Sequence, residues 1–79
     1  MSKAELEAKW QALSDQQDAM YANGDDLTDR EMRILEIRNA ALVWEMVKIE
    51  VEMGTQELDD DYINYKRAGE RAARWLNNN

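Results

Sequence analysis

The chain contains no cysteine, histidine, proline or phenylalanine, and only three glycines in 79 residues. Each absence closes something off. Without cysteine there is no disulfide, and a reducing compartment is acceptable. Without cysteine or histidine, ordinary zinc and copper sites have no ligands. The same two absences remove Ser-His and Cys-His nucleophile pairs, and no glycine-rich phosphate loop is present. The expectation is a protein that is not an enzyme and carries no cofactor. Long apolar runs are also missing. Nothing approaches the roughly 20 residues of a membrane-spanning helix, and Met1-Ser2-Lys3-Ala4-Glu5 is no apolar signal core. A cytoplasmic protein with no membrane partner is expected. Positive charge is scarce: 17 acids against 10 bases leave a net charge of −7. A direct nucleic-acid partner, which calls for cationic surface, is therefore not expected.

The remaining residues favour one kind of structure. Ala, Leu, Met, Glu, Gln, Lys and Arg outnumber Val, Ile and Thr, and no segment alternates polar and apolar residues as a half-buried strand would. An all-α fold follows, as one helical domain over residues 1–79. Its helices are expected at about 3–22, 29–53 and 60–76. Ser2 and Glu5 match a capping box at the first start, and Thr28 and Glu31 match one at the second, where Leu27 and Met32 can form a hydrophobic staple. Asp59 is the expected cap of the third helix, with Leu58 and Ile63 as its staple. Asn23-Gly24 and Gly54 are the expected stops. The short connections imply an up-down-up course around a long central helix, with dimerisation as one way to complete it. The Asn77-Asn78-Asn79 tail is expected to fray.

The central segment carries two apolar stripes. Met32, Leu35, Asn39, Leu42, Met46, Ile49 and Met53 follow one another at 3-4 spacing, a heptad seam with one polar member. Ile34, Ile37, Ala41, Trp44, Lys48 and Val51 follow the same spacing on the opposite side. Either the helix is sandwiched between the other two, or one stripe holds them while the second meets a partner. The second geometry makes Ile34, Ile37, Ala41, Trp44, Lys48 and Val51 the partner-binding set. Trp44 is its anchor, and Lys48 lays its stem along the apolar surface. The alternative for Trp44 is the chain's own core. Asn39 is the candidate register residue, either through a symmetry mate or through a neighbouring helix, and Gln17 holds the same kind of place in the first helix. In the third helix Tyr62, Tyr65, Ala68, Gly69, Ala72, Trp75 and Leu76 form the expected apolar face, with small residues permitting close approach.

The acids admit a second use. Asp25, Asp26 and Asp29, and again Asp59, Asp60 and Asp61, cluster at helix starts, where first-turn carboxylates complement the helix dipole. They do not make an EF-hand, because placing Gly24 at the loop glycine puts Ala19 and Tyr21 where acids belong. Glu5, Glu7, Asp15 and Asp18 form a candidate acidic face on the first helix. The function expected is protein binding without catalysis, by an adaptor, assembly subunit or inhibitor whose partner is another protein or itself, with a homodimer the expected self-assembly. One alternative is an acidic blocker or nucleic-acid mimic that inhibits a host nucleic-acid-binding protein or nuclease. Another is a purely structural homo-oligomer.

Overall fold

Local hydrogen bonds between residues three apart start each helix. Ser2 Oγ accepts from the Glu5 backbone N–H at 3.2 Å, and Asp59 Oδ1 accepts from that of Tyr62 at 3.1 Å. At Thr28 the box is complete: its hydroxyl accepts from the Glu31 N–H, and the Glu31 carboxylate accepts from the Thr28 N–H. A computed structural model describes residues 2–22 and 26–78. Its regular structure is all helical, with α1 at Lys3–Met20, α2 at Asp29–Met53 and α3 at Asp60–Asn78. No strand occurs among the described residues.

The helix ends differ more from expectation than the starts. The Asn23-Gly24 stop lies outside the described residues, and α1 already closes at Met20. Tyr21 and Ala22 donate to the carbonyls of Asp18 and Ala19, the tighter i→i+3 pattern that often ends a helix. α2 ends as expected. Gly54 takes φ +79°, a conformation that suits a residue without Cβ, while Gly54 N–H and Thr55 N–H return to Val51 and Glu50. α3 runs two residues beyond the expected end and takes in Asn77 and Asn78.

Packing centres on α2, which contacts both other helices extensively, whereas α1 and α3 scarcely meet. The buried apolar residues are Leu6 of α1, Leu35, Met46 and Val47 of α2, and Ala72 of α3. Leu35 and Met46 come from the heptad seam. Val47 is the deepest of them at 3% exposed, yet it belongs to neither stripe. No side chain among the described residues is completely enclosed. The molecule is elongated, 39 × 24 × 21 Å, with a radius of gyration of 13.6 Å, against about 11.6 Å for a compact chain of this length. Its accessible surface is 5951 Å², roughly 1,000 Å² more than a compact monomer of its mass exposes. No described helix is long and apolar enough to cross a membrane.

Candidate interaction surface

The second stripe of α2 does not stand free. A Cβ built on Gly69 of α3 would collide with Trp44 Cβ and lie within 2.8 Å of Trp44 Cδ1. Glycine at position 69 thus lets α3 settle directly onto Trp44. Tyr62, two turns earlier on α3, packs its ring against the indole with centroids 5.5 Å apart and planes at 57°, a favourable tilted aromatic contact. Lys48 places Nζ 5.3 Å from the Trp44 ring centre and pairs with Glu45 at 2.7 Å. Its stem therefore follows the apolar surface while its charge stays wet.

This seating of α3 divides the six residues expected to form one binding row. Ile34, Ile37, Ala41, Trp44 and Val51 are half-buried, and Lys48 is exposed. Ala41 and Trp44 line a groove of about 420 Å³ in which Leu13 and Met20 of α1 face Ala73 and Leu76 of α3. Ile37 lines a different groove of about 300 Å³, with Ala40 of α2 and Ala68, Ala72 and Trp75 of α3; Arg33, Glu36 and Arg71 rim it. Ile34 lies in a third groove beside Met20 and Leu27, and Lys48 lines a fourth, shared by α1 and α2.

The two polar seam residues find each other. Gln17 Nε2 of α1 donates to Asn39 Oδ1 of α2 at 2.8 Å, in a partly buried position. Of the two pairings open to Asn39, the one with a neighbouring helix is formed here, and it fixes α1 along α2. Trp10, also on the α1 seam, hides its Nε1 from solvent with no acceptor among the described residues.

The acidic candidates Glu5, Glu7, Asp15 and Asp18 are all exposed. At 100° per residue they spread over roughly 160° of the helix circumference rather than forming one row. Glu5 accepts from the Ser2 hydroxyl and Asp15 from Gln11 Nε2. Among the described residues no group of three acids could hold a metal ion.

The exposed apolar surface gathers on α3. Trp75 is 38% exposed, Ile63 and Tyr65 are 41% exposed, and Leu58, just before the helix, is 70% exposed. The expected face of α3, from Tyr62 to Leu76, spans about 140° of the helix. Gly69 and Ala72 are buried, whereas Ala68 and Trp75 at one edge of the arc, and Tyr65 near its middle, are exposed. The sequence did signal this edge, because an arc that wide exceeds what one neighbouring helix covers. The arc of α2 was the one read as too wide. No family model, curated protein or solved structure matches the chain.

Proposed function

We propose that this chain is a protein-binding module without catalytic activity, working through the apolar edge that α3 presents beside α2. The observation that carries the reading is the exposed Trp75 at the groove it forms with Ile37 and Ala68, on a chain with about 1,000 Å² of surface in excess of a compact monomer. Tryptophan is enriched among the residues that carry most of the binding energy of protein interfaces. Contiguous apolar surface on a small domain is otherwise a solubility hazard. An up-down-up course is supported by contacts at two levels of each helix pair: Leu6 shares a groove with Ile49 and Glu52 while Met20 shares one with Ile34 and Leu35, and Tyr62 meets Trp44 while Trp75 lies beside Arg33 and Ile37. Within the reading, Trp44 is the internal support of the surface and Trp75 its anchor.

The test is affinity capture from lysate of the source cells, with the intact chain and with Trp75→Glu as parallel baits. Trp75→Glu is expected to keep the helical circular dichroism and to lose the captured partner, including untagged copies of the chain itself. If both baits retain the same proteins in the same amounts, this surface is not where binding occurs.

A further inference from the structure

We infer that the partner of the α2–α3 groove is an acidic amphipathic segment of another protein, a helix whose apolar stripe is flanked by carboxylates. This rests on the protein-binding reading and adds the partner's chemistry to it. The groove is apolar along its floor, where half-buried Ile37 of α2 meets buried Ala72 of α3, and exposed Trp75 continues it on the α3 side. An exposed arginine stands on each wall, Arg33 on α2 and Arg71 on α3. Neither is in an ion pair among the described residues, where the pair formed is Glu45–Lys48. A guanidinium on either side of an apolar strip matches a helix with one apolar stripe and a carboxylate on each flank. Arginine grips a carboxylate through two parallel hydrogen bonds, and an amphipathic helix laid in an apolar groove is a recurrent mode of recognition. Glu36, the third charge at the rim, lies one turn along α2 from Arg33. It repels a carboxylate there, so the partner's acids on that flank belong at the Arg33 end.

The charge of the whole chain narrows the class of partner. Residues 66–79 carry Lys66, Arg67, Arg71 and Arg74 against Glu70 alone, a net +3. Residues 1–65 carry sixteen acids and six bases, a net −10. At 100° per residue, Arg71 stands roughly 40–60° around α3 from Trp75 and Ala68, on the side away from Gly69. Arg67 and Arg74 lie roughly 40–60° further round, on the outer face, and Lys66 on the side opposite Trp75; they add to the field and make no contact in the groove. The positive region is therefore narrow, on a molecule only 24 × 21 Å across. A nucleic acid or an anionic bilayer would reach past it and meet the acidic remainder within about one Debye length, roughly 8 Å at physiological salt. A single helix seated between α2 and α3 meets the arginines and little else.

The probes are three synthetic peptides of about 18 residues, long enough to form helix, in an alanine background. All carry leucine at i, i+3, i+4 and i+7 spacing. The positions flanking that stripe are glutamate in the first peptide, glutamine in the second and lysine in the third. Binding to the full chain is read by fluorescence anisotropy of labelled peptide. Trp75→Ala removes the anchor without adding charge, and binding lost in it is counted as binding in the groove. The wild type is expected to hold the glutamate peptide about tenfold tighter than the glutamine peptide at low salt. That gap is expected to close at about 1 M salt, where the Debye length is about 3 Å. Arg33→Glu with Arg71→Glu places a good helix former at two exposed helical positions. The fold is expected to hold and the order to reverse, with the lysine peptide bound tightest.

If none of the three peptides binds in the groove, the inference is overturned. It is overturned equally by a glutamine peptide that binds as tightly as the glutamate one, or by an order that survives the double substitution. A single-stranded oligonucleotide or a phosphatidylserine vesicle that binds more tightly than the glutamate peptide, and is lost in the same double variant, would assign the arginines to phosphate and also overturn it. Three peptides bound alike and all lost in Trp75→Ala sink the acidic partner and leave the protein-binding reading standing.

Discussion

Gly69 and Trp44 occupy a space that admits one side chain. The atom a new Cβ would strike is Trp44 Cβ itself, so turning the indole gives no relief and α3 must move away from α2. Gly→Ala inside a helix ordinarily gains about 1 kcal/mol. Gly69→Ala is expected to reverse that sign and destabilise by about 1–3 kcal/mol, as overpacked cores do, read as a lower urea midpoint. Gly54→Ala is the comparison. Nothing lies within 4 Å of its new Cβ, and its φ of +79° is the whole penalty, about 1–2 kcal/mol. A Gly69→Ala protein as stable as the wild type would mean that α3 does not rest on Trp44. The Gln17–Asn39 pair gives a second residue-scale test. Asn39→Leu alone strands the Gln17 amide in a partly buried site and is expected to cost about 1–3 kcal/mol. Converting both positions to leucine removes donor and acceptor together, and is expected to recover most of that loss in the same urea titration.

At the scale of the helix, starts and stops obey different physics. A start is a hydrogen bond between a cap and a residue three positions on, so Ser2, Thr28 and Asp59 were legible from the sequence. Thr28→Ala removes the one reciprocal cap among the described residues. It is expected to lower stability by about 1 kcal/mol, whereas Thr28→Asp is expected to hold it, by thermal melting. The stop at Gly54 was legible because a glycine takes the left-handed conformation there; α1 closes at Met20 through the tighter backbone bonds of Tyr21 and Ala22, which no residue type announces. Surface ion pairs were poorly legible. Glu5 and Lys9, and Glu70 and Arg74, stand four residues apart yet close no ion pair among the described residues, where Glu45–Lys48 is the pair formed. Exposed pairs of this kind gain so little over water that spacing alone does not decide them. The two stripes of α2 were readable from heptad spacing. Which residues they leave uncovered depends on where α3 sits, and that is decided by a contact between Gly69 and Trp44, far apart in sequence. Val47 escaped for a related reason: it lies between the stripes, and only α2 having neighbours on both sides makes that position deep.

For the molecule as a whole, the governing quantity is enclosed apolar surface. Among the described residues five apolar side chains are buried and none is completely enclosed, in a chain with no cysteine to supplement the core with a disulfide. Domains of this size bury only about 60% of their extended surface and are marginal alone. Covering the α3 edge would add burial where the chain most lacks it, so a protein bound there would stabilise the fold by mass action, by about 2.7 kcal/mol at a hundred times its Kd. Trp75→Glu is expected to abolish that gain while leaving the melting temperature of the free chain nearly in place, because the indole is part exposed and is not among the buried apolar residues. A free-chain Tm that falls by more than about 8 °C on this substitution, roughly 1–2 kcal/mol for a chain of this length, would mean that Trp75 belongs to the chain's own core rather than to a binding surface.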